Sequence, residues 1–249
     1  MGKTVVFDVD GTICFDGVSI APAIAEALSA LRGRVRLVFA SARPIRDLLP
    51  VLPAEFHDET LVGGNGAFSR SDGELQVLGI AREDRRVLDR IIDEHDLKVL
   101  IDGDWDYAYT GDEAHKIFRQ LDAGKLASNV SREQIERYSK VVLFTSRPDV
   151  LRRLRETGLS ISVHPEEGIV DVAPSGITKH HALVRLGIAE SGYTAFGNDA
   201  NDERMLREAT TSYCVGRHPA LAFADRHLAP EAVPRAIRDL LEPERDSAA

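Results

Sequence analysis

Sulfur and tryptophan are scarce in this chain: two cysteines, two methionines and one tryptophan in 249 residues. Cys14 and Cys214 are far apart and fit no metal-ligand spacing, so both read as neutral packing groups in a reducing, cytoplasmic setting. Long apolar runs are missing as well; none approaches the ~20 residues that a bilayer span requires. The first strand begins almost at once, at Thr4, which leaves no N-terminal targeting signal in view. Nor is there a long basic run, and the formal net charge is −9. Together these set aside nucleic acid and an anionic membrane surface as principal partners. A small anionic ligand stays open, because a local pocket can be positive on an acidic protein. No internal repeat or low-complexity segment stands out. The sequon Asn129-Val130-Ser131 is read as chance in the absence of secretion, and the tail from Glu242, EPERDSAA, as polar and frayed.

What is present is ample apolar material, 43% of residues, enough for one large domain or two modest ones in a monomer or homodimer. The first third alternates strand and helix. Thr4–Phe7 reads as a buried strand. Ile24, Ala27, Leu28 and Leu31 recur at helical spacing within Ala21–Arg32, and Gly33 ends that helix. Arg34–Ala40 is a second strand, and Pro44 opens a helix through Leu49. Such alternation implies a parallel sheet. Leu61–Val62 then runs into GGNGAFS, a turn signal that predicts a hairpin. From about Gln76 to Val172 the texture changes. Helices at Arg82–Glu94, Asp112–Leu121 and Pro148–Thr157 alternate with strands at Lys98–Ile101, Trp105–Thr110, Lys140–Thr145 and Leu159–Val163. These strands look partly exposed, which suits a mostly antiparallel sheet with helices on one face. After Pro174 the first texture returns, with a helix at Lys179–Leu186, a strand at Tyr193–Phe196, the loop GNDAND, a helix through Arg207, a strand at Ser212–Val215 and a last helix near Pro234–Leu241. The expected fold class is therefore α/β: a Rossmann-like parallel-sheet core, residues 1–75 and 173–249, with an α+β module, residues 76–172, inserted in its middle.

Ligands of open parallel sheets collect beyond the carboxyl ends of the strands. Strand one delivers Asp8 and Asp10 there, on one side of the extended chain. Strand two delivers Ser41, Ala42 and Arg43. The late loop delivers Asn198, Asp199, Asn201 and Asp202, and Lys179 begins the helix before it. Acids, amides, a hydroxyl and two cations on one rim suit a hard divalent cation beside a phosphate: Mg²⁺ takes oxygen ligands and retains waters, so one or two carboxylates suffice. Ser41, Lys179 and backbone N–H groups are the candidates for the phosphoryl oxygens.

DVDGT resembles the first motif of the haloacid dehalogenase (HAD) superfamily of phosphohydrolases, and FASAR, Lys179 and GNDANDERML fall in order as its second, third and fourth. The insertion, with GGNGA ahead of it, is similar to the type IIB cap of Cof-type phosphatases. The resemblance covers essentially the whole chain. It implies that Asp8 is the nucleophile and forms an aspartyl-phosphate, while Asp10 protonates the leaving alkoxide and then deprotonates the hydrolytic water. It implies Mg²⁺ on a carboxylate oxygen of Asp8 and the backbone carbonyl of Asp10, with Gly11 turning the chain so that N–H groups face the phosphate. The fourth motif departs from the commonest Gly-Asp-x-x-Asn-Asp, because Asn198 follows Gly197; either Asn198 or Asp199 is the third ligand, with Asp202 in support. Asn201 is expected near substrate.

Blander readings accompany several of these residues. Ser41 can cap the helix opening at Pro44, Arg43 can form a structural ion pair, and Asn65 can be a simple turn residue. His180 and His181 are adjacent, point to different helix faces and make poor joint ligands. In the insert, Trp105, Tyr107 and Tyr109 alternate along one strand face, either stacking on a substrate ring or forming the cap's own core. His115, Lys116 and Arg119 are further candidates for specificity. The expected activity is Mg²⁺-dependent hydrolysis of a small phosphorylated metabolite, a sugar or sugar-like phosphate. A phosphosugar mutase and a non-catalytic phosphate-binding module are the alternatives; a receiver domain is a further one, against which the length, the insert and the DGT tail argue.

Overall fold

The computed structural model describes residues 3–241; the expected tail from Glu242 lies outside them. Two sheets organise the chain. The larger has eight strands: β1 (Thr4–Asp8), β2 (Arg36–Ala40), β3 (Thr60–Gly63), β4 (Phe68–Ser71), β5 (Glu74–Val77), and late in the chain β11 (Thr194–Gly197), β12 (Thr211–Val215) and β13 (Arg226–Leu228). The smaller takes everything between: β6 (Val99–Asp102), β7 (Tyr107–Tyr109), β8 (Lys140–Leu143), β9 (Ser160–His164) and β10 (Ile169–Ala173). Helices α1 (Pro22–Leu31), α2 (Ile45–Leu48), α6 (Lys179–Arg185), α7 (Glu203–Arg207) and α8 (Val233–Asp239) accompany the first sheet; α3 (Arg82–His95), α4 (Lys116–Gln120) and α5 (Pro148–Arg155) accompany the second.

In the larger sheet the order is β13-β12-β11-β1-β2-β3-β4-β5, parallel from β13 to β3 and antiparallel at the hairpin β3-β4-β5. The chain moves outward from β1 to β2 and β3, then re-enters on the opposite flank of β1 as β11. The carboxyl ends of β1, β2 and β11 therefore meet at the point where strand order reverses, the place where open α/β sheets bind ligands. Strand β1 is apolar because it is buried on both faces. Phe7 stacks on Phe196 at 4.9 Å and joins one core cluster, while Val6 joins the cluster on the other face.

The smaller sheet, β7-β6-β8-β10-β9, is antiparallel throughout, as expected from the sequence. Its exposure differs from expectation. One face packs Val99, Ile101, Val141, Leu143, Val170 and Val172 against α3 and α5. The other is not solvated: Leu100, Tyr107, Tyr109, Val142 and Ile169 lie under Ile117, Phe118 and Leu121 of the α4 segment. Only the edge strand β9 keeps an exposed, alternating pattern. Strands β10 and β13, which the sequence reading did not resolve, complete the two sheets, and the predicted hairpin at GGNGAFS is present as β3 and β4.

A buried arginine joins the two sheets' layers. Arg46 of α2 is 2% exposed, and its guanidinium bonds Asp47 (3.0 and 2.9 Å), Asp102 of β6 (2.7 Å) and the Trp105 carbonyl (2.8 Å) above the Tyr107 ring. Asp47 in turn accepts from the Asp122 N–H at 2.8 Å. Arg46→Met would strand Asp102 without its counter-charge, and denaturant titration should show a loss of about 3 kcal/mol. Burial already holds the Asp102 carboxyl above its ordinary 3.8. An acid with a raised folded pKa loses stability as pH climbs from its unfolded value through its folded one. The Arg46→Met deficit should therefore be larger at pH 8 than at pH 4.5; an equal deficit would contradict this account.

Candidate active site

Strand β1 ends at Asp8, and the chain then winds tightly: Thr12, Ile13 and Cys14 all direct their N–H groups to the Val9 carbonyl, and Gly11 N–H reaches the Cys14 carbonyl. Gly11 takes φ +80°, and a Cβ there would run into the Asn198 amide, so this position requires glycine. Thr12 Oγ1 donates to Asp8 Oδ2 at 2.6 Å, fixing the carboxylate. Lys179, wholly buried at the start of α6, bridges Asp8 Oδ1 (2.5 Å) and Asp202 Oδ1 (2.6 Å). The GGNGA loop holds that helix start in place. Gly66 lies so close to the Thr178 carbonyl that no side chain fits, and Thr178 caps the helix by accepting from His181 N–H.

Burial, reinforced by the negative charge of Asp202, pushes the Asp8 carboxyl up to about 7 despite the pull of Lys179 and Thr12. Burial alone would lower Lys179, but Asp202 and Asp8 hold it above the usual lysine range. Two carboxylates thus share one buried ammonium, and the cluster carries an excess negative charge.

The structure brings together most of the residues singled out from the sequence. Ser41, at the end of β2, is buried, accepts from Arg43 N–H at 3.1 Å and lies 3.5 Å from Asp10. Arg43 makes a two-pronged ion pair with Asp10 (2.9 and 2.6 Å) and also bonds the Gly17 carbonyl, so its structural reading holds. Asp202 accepts from the N–H groups of Asn198 and Asp199, pinning the late loop. Asn201 sits on the rim and bonds Asn65, which takes the left-handed turn conformation expected of it. Asp199 is the exception. Its carboxylate caps Ala200 N–H and faces His218 at 3.4 Å, drawn away from Asp8 by the turn it stabilises.

Asn198 occupies the position Asp199 does not. One end of its amide lies 2.9 Å from Asp8 Oδ2, 3.0 Å from the Asp10 carbonyl and 3.1 Å from Thr12 Oγ1. With nitrogen there, it donates to all three. With oxygen there, it stands beside Asp8 Oδ2 and the Asp10 carbonyl at the ~2.9 Å spacing of neighbouring oxygens around a cation bound at about 2.0–2.1 Å. Among the described residues no group of three or more His, Cys, Asp or Glu side chains gathers to hold a metal. This mixed set of carboxylate, carbonyl and amide oxygen fits a small, partly hydrated divalent ion.

A cavity of about 390 Å³ opens from Asp10, Arg43 and Pro44 on the core side to the smaller sheet. The cap-side candidates from the sequence do not line it. Tyr107 and Tyr109 are covered by the α4 segment; Trp105 precedes the strand instead of extending it and packs against the core. His115 caps α4 and meets Phe144 edge-on, and Lys116 pairs with Glu167 at 2.6 Å. Lys140, His164, Asp171, Glu167 and Gln120 line the cavity in their place. Gln120 lies in α4 and Glu167 in a turn, and Lys140, His164 and Asp171 each read from the sequence as a polar position of a partly exposed sheet.

Fold and site define a class, the haloacid dehalogenase-like hydrolases: residues 5–225 match that family's sequence profile, and the chain belongs to it. Within that class it is 25% identical over 230 residues to the 5-amino-6-(5-phospho-D-ribitylamino)uracil phosphatase YbjI of Escherichia coli (strain K12), covering 86% of this chain and 84% of that protein. The fold matches the HAD subclass IIB sugar phosphatase BT4131 with a TM-score of 0.76 at 21% identity, covering 96% of this chain and 98% of that one. It matches TM0651 from Thermotoga maritima at 0.79 and 18% identity, covering 98% and 99%. The enzyme class expected from the sequence, a phosphatase of the haloacid dehalogenase type, stands.

Proposed function

We propose that this protein is a Mg²⁺-dependent phosphomonoesterase that hydrolyses a small phosphorylated metabolite, a sugar or sugar-like phosphate, through an aspartyl-phosphate. The observation that carries the reading is the buried Asp8, held between Lys179 and Thr12 at the sheet's switch point, two residues before Asp10, which lines the cavity. Asp8 attacks phosphorus, and the ester oxygen leaves with a proton from Asp10. A water then attacks the phosphoryl group as Asp10 takes its proton back, splitting one displacement into two. Lys179 and Ser41 supply donors to the phosphoryl oxygens, because the N–H groups that follow Gly11, expected from the sequence to face the phosphate, are taken up by the Val9 carbonyl. Asp8, the Asp10 carbonyl and Asn198 would hold Mg²⁺, which when bound offsets charge between the carboxylates and the incoming dianion. The insert, residues 76–172, acts as the cap over residues 1–75 and 173–249. Two free, buried cysteines suit the reducing cytoplasm in which we place the enzyme.

Purified enzyme with Mg²⁺ should release phosphate from p-nitrophenyl phosphate and from a sugar-phosphate panel, and EDTA should suppress it. Because the amide of Asn198 brings no charge, Asn198→Asp should tighten Mg²⁺ binding, read directly by calorimetric titration and as a lower Mg²⁺ requirement. Release that persists undiminished in EDTA would remove the metal from this reading.

A further inference from the structure

Three polar side chains on adjacent cap strands face the catalytic rim across the cavity. Lys140 of β8 and Asp171 of β10 form a 3.1 Å ion pair, and His164 Nε2 of the edge strand β9 lies 3.7 Å from the same Asp171 carboxylate. The register puts them on one face: Asp171 stands opposite Val142, two residues from Lys140, and His164 stands opposite Ile169. Beside them the wall is aliphatic, from Leu100, Val142 and Ile169.

Two further features restrict the occupant. Every Lys or Arg lining the cavity already has an acidic partner, Lys140 with Asp171 and Arg43 with Asp10, so no spare cation awaits a second phosphate among the described residues. Nor, among the described residues, does a Phe, Tyr or Trp ring line the cavity for a nucleobase to stack on. The volume, about 390 Å³, lies near the low end of the roughly 300–1,000 Å³ range of small-molecule sites.

We propose that Lys140, Asp171 and His164 form the hydroxyl-reading edge of the substrate pocket, and that the enzyme selects the monophosphate of an uncharged polyhydroxy compound of about one sugar unit. The ion pair offers donors and acceptors in fixed places to vicinal hydroxyls, His164 adds a group that can do either, and the aliphatic wall meets the C–H face of the ring or chain. Bisphosphates and base-bearing monophosphates are disfavoured, which also counts against mutase action through a bisphosphate activator. The proposal rests on the phosphatase reading above.

The test compares kcat and KM, with Mg²⁺, for a panel of pentose, hexose and alditol monophosphates, a hexose bisphosphate, uridine 5′-monophosphate and p-nitrophenyl phosphate. The best sugar or alditol monophosphate should exceed the bisphosphate and the nucleotide. In the charge-neutral double variant Lys140→Met/Asp171→Leu, KM for that substrate should rise about 10- to 100-fold, the scale of lost hydrogen bonds to charged groups. His164→Gln, on an exposed edge strand where folding is not at issue, should raise it less. In both variants the rise in KM for p-nitrophenyl phosphate, which has no hydroxyls to read, should be clearly smaller than that for the sugar ester. Equal losses on p-nitrophenyl phosphate and the sugar ester, unchanged selectivity in both variants, or preference for the nucleotide or bisphosphate would overturn the proposal alone. No phosphate release from any ester would overturn the phosphatase reading and the proposal with it.

Discussion

Asp8→Asn should bring phosphate release to background, a fall on the order of 10⁵- to 10⁶-fold, the scale on which removing a covalent nucleophile acts. Asparagine keeps the shape: its oxygen can still accept from Lys179 while its amide nitrogen donates to the Thr12 hydroxyl, so the pocket survives while its attacking carboxylate does not. The fold should not suffer. Asp8 is buried with Asp202 as a like-charged neighbour, and burial already pushes its carboxyl up to about 7. Neutralising it relieves that repulsion, so the thermal midpoint of Asp8→Asn, measured in EDTA, should equal or exceed that of the wild type. Acid-quenched wild-type enzyme given substrate should carry a phosphoryl group on the peptide containing Asp8, and the variant should not. Turnover within tenfold of wild type would end the nucleophile assignment; loss of activity with a lowered midpoint would recast Asp8 as a structural residue.

That prediction was within reach of the sequence because its parts are local. Asp8, Asp10, Gly11 and Thr12 fall within five residues of a strand end and a turn; alternation puts the two acids on one side, and the resemblance of DVDGT supplies their roles. Lys179, although 171 positions from Asp8, begins a helix just before a core strand, and the parallel topology returns that end to the same rim. The substrate pocket was not local. Its edge comes from three strands whose register is set by antiparallel pairing, and each of Lys140, His164 and Asp171 alone looks like an ordinary surface residue of a half-exposed sheet. The alternating aromatics were more conspicuous, but their bulk is what the α4 segment buries. Arg46 had no local signal whatever. An arginine in a short helix reads as solvated, and its partner Asp102 lies 56 positions away on the cap.

Lys179→Met is the second large expectation, and it separates stability from catalysis. The ammonium is wholly buried and lies within 2.6 Å of both Asp8 and Asp202. Taking it away leaves two carboxylates facing each other without water, and breaking a buried charge pair from one side costs about 3–5 kcal/mol. Against a typical total of roughly 5–15 kcal/mol this is about a fifth or more of the fold's stability, and urea titration in EDTA should show it directly. Adding Asp202→Asn to Lys179→Met should recover much of the loss, because the amide oxygen can still accept the N–H groups of Asn198 and Asp199 that Asp202 now holds. Activity should not return with stability, since no cation then stands beside the attacking oxygen and the phosphoryl group loses a charged donor. A Lys179→Met enzyme within about 0.5 kcal/mol of wild type, the margin ordinary for a surface substitution, would mean that the two acids are neutralised by something other than this lysine. Recovery of turnover in the double variant would move Lys179 from chemistry to scaffolding.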